Sequence, residues 1–197
     1  MKEQLSLTVQ NRSARGKGPN RRLRNEKMVP GIYYDDKGVN IPVMVEDIPF
    51  RKVYQKTGSS RVFNLVIDNN GTPESHPSLI WAVQLHPFKN QVDHVDFYGV
   101  DPNKLVHVDV KVEVIGKAKG VVVGGKLEIH REALEVVCLP AAIPDKIVLD
   151  VTELALNQHI NVKDIVLPEG VRAVYDQNFA VVGVVAPTAE AEAEEGK

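Results

Sequence analysis

Residues 12–34 read R-S-A-R-G-K-G-P-N-R-R-L-R-N-E-K-M-V-P-G-I-Y-Y. The first thirteen hold six basic side chains, Arg12, Arg15, Lys17, Arg21, Arg22 and Arg24, and no acidic one. Two glycines and a proline interrupt the run, so it is not a plain charged helix. Arginine outnumbers lysine, and its planar fork suits bidentate contact with phosphates and base edges. Two readings are open at this point. One is an anion-binding surface with nucleic acid as its natural partner. The other is a solvated, flexible arm without a specific partner.

The residues on either side favour folded structure. Leu5, Leu7 and Val9 alternate with Ser6, Thr8 and Gln10, which predicts a half-buried strand over 4–12. Gly16-Lys17-Gly18-Pro19 breaks it. Asn20 is then placed to cap a short helix through Lys27, with Leu23 and Met28 facing a core. Pro30-Gly31 ends that helix, and Ile32-Tyr33-Tyr34 begins a second strand. Asp35-Asp36-Lys37-Gly38 predicts a hairpin turn into a strand over 39–45. Asp47 is placed to cap a helix over 48–57, with Pro49 in its first turn. Phe50, Val53 and Tyr54 fall at helical spacing there, as core residues do. Strands follow at 61–68, 78–85 and 94–97, the first two joined by a turn at Asn69-Asn70-Gly71.

Gly99-Val100-Asp101-Pro102 is a short, turn-rich boundary. Beyond it, residues 105–115 alternate over eleven positions, with Val106, Val108, Val110, Val112 and Val114 on one side. Gly116 to Gly120 makes a loop and Gly124-Gly125 a bend. Further strands are expected at 126–130, 135–139, 146–151, 160–162, 171–175 and 179–186, and helical turns at 131–134, 152–156 and 162–165. The expected fold is therefore mainly β. It has an N-terminal unit over 1–98 with a few short helices and a C-terminal β-rich unit over 99–186. The last eleven residues, 187–197, carry four glutamates among alanines and no apolar periodicity, which predicts a disordered acidic tail.

Composition agrees. The chain has 197 residues, 43% of them hydrophobic, enough to bury a sizeable core. Valine, isoleucine and leucine dominate, a set that leans toward strands. The net charge of −2 hides an asymmetry: residues 1–30 carry eight basic and two acidic side chains, and the remainder sixteen and twenty-four. A basic end on an acidic body points to a polyanion partner for one face. Cys138 is the only cysteine and sits in the apolar run V-V-C-L, which suits a buried structural thiol and rules out an internal disulfide. The N-terminus has no apolar signal region and no apolar run approaches 18 residues. A cytoplasmic protein without a membrane partner is expected.

Motifs for chemistry are weak. His94-Val95-Asp96 and His107-Val108-Asp109 each place two metal-capable side chains on one face of a strand. They fall in different predicted units, and neither Cys-x-x-Cys nor His-x-x-x-His accompanies them. Gly120 to Lys126 matches seven positions of a phosphate-binding loop, but Leu127 stands where Ser or Thr is required and a strand follows in place of a helix. No nucleophile elbow and no zinc-protease motif is present. The expectation is a binding protein, not an enzyme, with no metal and no cofactor.

If the strands flanking the basic stretch pair, Arg12, Lys17, Arg21, Arg22 and Tyr34 gather on one surface. Tyr34 then offers a ring for stacking and a hydroxyl for a sugar or phosphate. Neutralising six phosphates gives a log–log salt slope of about −4 to −5.

The motifs G-K-G-P-N-R-R-L-R, V-P-G-I-Y-Y, V-Q-L-H-P-F-K and H-V-D-F, in that order, resemble the bacterial large-subunit ribosomal protein twenty-five family. G-K-A-K-G-V-V-V-G-G-K-L-E-I-H-R-E-A-L-E-V-V-C-L-P and L-P-E-G-V resemble its longer version, the general stress protein Ctc. The likeness runs from about residue 5 to 186. It implies an N-terminal β-barrel that binds 5S ribosomal RNA in the central protuberance, largely through a widened minor groove, and a mainly β C-terminal domain. Neighbouring ribosomal proteins are implied as further partners, and a monomer off the ribosome. Carried over by motif position, the RNA-contacting residues are Arg12, Lys17, Asn20, Arg21, Arg22, Tyr34, Gln84, His94 and Asp96. The resemblance thus gives His94 and Asp96 to RNA, not to a metal. Ala82, preceded by Trp81, stands where the family commonly has a polar or acidic residue, so a contact there is either lost or replaced by Trp81. Asn20 stands where serine is frequent. Residues 68–80 look longer than in compact members. The alternative function is a stress-linked general RNA-binding factor acting off the ribosome.

Overall fold

A computed structural model describes residues 5–69 and 71–186. The tail expected at 187–197 lies outside the described residues. The chain divides into two compact units, residues 1–108 with 139–143 and residues 109–138 with 144–197.

The first unit is built on a closed barrel of six strands. These are β1 (Ser6–Asn11), β2 (Met28–Asp35), β3 (Asn40–Glu46), β4 (Phe63–Asn69), β5 (Thr72–Leu85) and β6 (Val92–Gly99). Around the barrel they run β1-β3-β2-β6-β5-β4, closed by parallel pairing of β1 with β4. Two helices interrupt them, α1 (Lys17–Asn25) and α2 (Asp47–Thr57). Buried residues alternate along β1, β3 and β4, whereas β2 buries Val29, Pro30 and Gly31 in succession and β5 buries Ser78, Leu79 and Ile80. Val9, Val43, Val45, Leu65, Val95 and Phe97 are all but sealed, and Phe50 of α2 plugs the same core. Burial of a side chain of that size contributes about 1.5–3 kcal/mol.

The local readings need adjustment at three places. The first helix starts at Lys17, not at Asn20. Gly16 adopts φ 99°, open to glycine, and so turns the chain out of its extended path. Pro19 then falls in the first helical turn, where its missing N–H removes no bond. Second, Pro30-Gly31 does not end a helix but lies inside β2. Pro30 precedes the parallel ladder with β6, which begins at Gly31↔Val95, so no ladder donor is lost. Third, Asp47 is not the cap of α2. Glu46 holds that position, and the Asp47 carboxylate accepts a bond from Arg51 Nε at 2.8 Å. Residues 72–77, left without an element between the turn at 69–71 and the strand expected from 78, continue β5. Asn69 pairs with Thr72, so the hairpin is tight.

The second unit carries β7 (Val106–Ile115), whose start lies in the first, β8 (Lys126–Ile129), β9 (Ala133–Cys138), β10 (Ile147–Asp150), β11 (His159–Asn161), β12 (Arg172–Ala173) and β13 (Ala180–Val185). They form one sheet ordered β10-β7-β9-β12 and a second ordered β11-β13-β8. Val110, Val136, Val181 and Val182 are fully buried. Cys138 is buried with them, and burial pushes its thiol pKa up, as fits an inert core thiol. The short helix α3 (Lys119–Val122) falls where a loop was expected. A 3-10 turn forms at Val162–Asp164, within the expected 162–165. The helical turn expected at 131–134 is absent, because β9 begins at Ala133.

Candidate nucleic-acid interface

Two features of the first unit meet on one side of the barrel: helix α1 and the outer face of β2-β6-β5.

Helix α1 has two faces. Pro19, Asn20, Leu23 and Arg24 are half-buried against the barrel, and Lys17, Arg21, Arg22 and Asn25 are exposed. Lys17 and Arg21 are four residues apart and therefore stand one above the other. The side chains of Lys17, Arg21, Arg15 and Arg22 have no hydrogen bond or ion pair among the described residues. Four cations are thus free for an outside anion.

The other two basic side chains fasten the helix down. Arg12 donates from Nη1 to Asn20 Oδ1 at 2.5 Å and from Nη2 to Gly31 O at 3.3 Å. Its backbone N–H donates to Pro42 O at 3.0 Å. One guanidinium thereby links the end of β1, the first half of α1 and the middle of β2. Its Nε is buried without a partner. Burial, helped by nearby Arg15, lowers the Arg12 pKa from its ordinary value, although guanidinium stays charged in proteins. Arg24 ties the other end, donating from Nε to Asp93 O at 3.0 Å, with the Asp93 carboxylate 3.6 Å away.

Asp93 adjoins His94, where the outer face begins. Register places its side chains. On β6, His94, Asp96 and Tyr98 point outward while Val95 and Phe97 fill the core. Gln84 pairs with His94 and Ala82 with Asp96 on β5, and Tyr34 pairs with Tyr98 on β2. The row from His94 to Tyr98 spans roughly 13 Å. His94 Nδ1 lies 2.7 Å from Asp96 Oδ1. That bond fixes the imidazole tautomer and leaves Nε2 for an outside partner. The Tyr34 hydroxyl has its pKa raised, first by burial and then by Asp96 and Tyr98. It remains a protonated donor at neutral pH.

All nine residues taken from the sequence thus lie on α1, its anchor, or the outer wall beside it. Arg12 bonds Asn20 and His94 bonds Asp96, whereas Lys17, Arg21, Arg22, Gln84 and Tyr34 are distributed over the surface. Sequence reading left out Tyr98, although it lies two residues beyond Asp96 and so on the same strand face. It also left out the anchoring part of Arg24. Among the described residues, no group of three or more His, Cys, Asp or Glu could hold a metal ion, and no helix is long and apolar enough to cross a membrane.

Comparison with known proteins agrees with this architecture. The family model described as "Ribosomal L25p family" matches residues 7–97, and that of "Ribosomal protein TL5, C-terminal domain" matches residues 105–188. A relative from Solidesulfovibrio magneticus, named "Large ribosomal subunit protein bL25", is 56% identical over 194 residues, covering 98% of this chain and 99% of the relative. Proteins of the same name from Nitratidesulfovibrio vulgaris and Lawsonia intracellularis are each 46% identical, over 96% and 92% of this chain and 100% and 92% of their own lengths. The chain therefore belongs to the ribosomal L25p family, in the form that carries a TL5-type C-terminal domain.

Proposed function

We propose that this chain is a structural protein of the large ribosomal subunit that binds 5S ribosomal RNA in the central protuberance, through α1 and the outer face of β2-β6-β5. The supporting observation is that residues from four separated stretches converge on one side of the barrel, next to four unpaired cations. Lys17, Arg21 and Arg22, with Arg15, neutralise phosphates and fix register. Arg12 and Asn20 hold the helix at the right height for that contact. Gln84, His94, Asp96 and Tyr34 present acceptors and donors at strand spacing to a wide, shallow groove, where shape and base edges are accessible. Catalysis plays no part in this reading. Residues 109–138 and 144–197 hold fifteen acidic and nine basic side chains, so the second unit suits a protein neighbour better than a phosphate backbone.

The test is the double variant Arg21→Ala/Arg22→Ala, titrated with 5S RNA at moderate salt. Loss of tight binding with an unchanged circular dichroism spectrum is expected. Binding that persists would remove α1 as the anchor.

A further inference from the structure

The outer wall of the barrel carries an aromatic cluster of which the proposed contacts use only Tyr34, leaving Tyr98 and Trp81 without a part. Trp81 lies at a register shift in β5: Ile80 pairs with Phe97 and Ala82 pairs with Asp96, leaving Trp81 as the extra residue between them. A bulge of this kind re-aims a side chain. Ile80 stays in the core at 1% exposure, while Trp81 is 46% exposed and Ala82 beside it is also exposed. The Trp81 ring lies 5.3 Å from Tyr98 at an interplanar angle of 53°, and Tyr98 lies 5.7 Å from Tyr34. The rings are tilted and not stacked, so Tyr98 supports the indole while nearly half of Trp81 stays open to solvent. Ala82, opposite Asp96, leaves a low step in the wall. Trp81 borders that step on one side and Gln84 follows two residues further along β5.

An open aromatic face beside a low step and a carboxylate has the form of a stacking site. We propose that Trp81, braced by Tyr98, is a ledge on which an unstacked nucleobase of the bound RNA lies, with Ala82 as its floor and Asp96 beside its edge. This rests on the RNA-binding reading above and adds a specificity-determining contact to it. Base stacking tolerates any sequence but requires a base that has left its helix. The ledge therefore selects RNA with a looped or distorted segment over regular duplex.

Trp81 is the only tryptophan in the chain, so its emission reports on this site alone. Full-length protein is titrated with 5S RNA while tryptophan fluorescence is followed, and affinities are measured separately by filter binding. Expected results are quenching that saturates with binding, a loss of roughly five- to a hundred-fold in affinity for Trp81→Ala, and recovery of most of that loss in Trp81→Phe. Unchanged emission at saturating RNA would overturn the ledge while leaving 5S binding standing. So would a Trp81→Ala variant that melts lower but binds equally well, since that marks the indole as packing only. If Trp81→Ala does not fold, the wild-type emission decides. Absence of any binding to 5S RNA would overturn both the ledge and the function it rests on.

Discussion

Single residues decide whether the surface holds its shape. Gly31 is the sharpest case. A Cβ there would lie 2.7 Å from Val95 O and 2.9 Å from a Val95 methyl, inside the β2–β6 pairing. Its carbonyl also receives Arg12. Gly31→Ala is expected to lower stability by about 1–3 kcal/mol through overpacking, read by urea unfolding; a loss below a few tenths of a kcal/mol would mean that the strands separate freely. Sequence patterns carried the chemistry of Arg12 but not its geometry. A basic residue at a strand end is equally consistent with a phosphate contact, and only the fold shows its fork engaged by Asn20 and Gly31. Pro30-Gly31 misled for a related reason. The pair is a helix-ending signal in isolation, and close approach of β6 is what requires glycine there.

At the scale of elements, α1 works as a rigid bar, pinned near one end by Arg12–Asn20 and at the other by Arg24–Asp93. Composition alone suggested six phosphate contacts. With Arg12 and Arg24 engaged inside the protein, four free cations remain: Arg15, Lys17, Arg21 and Arg22. The log–log salt slope of RNA binding is therefore expected at about −3 to −4, measured between about 50 and 200 mM salt. A slope steeper than about −5 would show that Arg12 and Arg24 leave their protein partners in the complex. Strand positions were legible because one face of each strand is buried, so apolar alternation tracks the core. Helix starts and caps were not, since Asn20 and Asp47 are chemically able to cap but their side chains meet Arg12 and Arg51 instead. The bulge at Trp81 was also hidden, because a single inserted residue leaves the apolar pattern of S-L-I-W-A-V almost unchanged.

For the whole molecule, barrel closure makes a binding surface from distant sequence. Parallel pairing of β2 with β6 sets Tyr34 against Tyr98, and antiparallel pairing of β5 with β6 sets Gln84 against His94. Neither pairing follows from alternation alone, and the convergence of these residues was foreseeable only through family resemblance. Arg15, Lys17, Arg21 and Arg22 then mark one side of the first unit, the side proposed to meet RNA. The most direct measurement is a competition titration of the full-length chain between 5S RNA and an unrelated regular RNA duplex of equal length at one salt concentration. A shape-reading surface is expected to prefer 5S RNA by at least about a hundred-fold, well beyond what phosphate contacts shared by both RNAs supply. Equal affinity for the two would contradict it and reduce the surface to a general polyanion site.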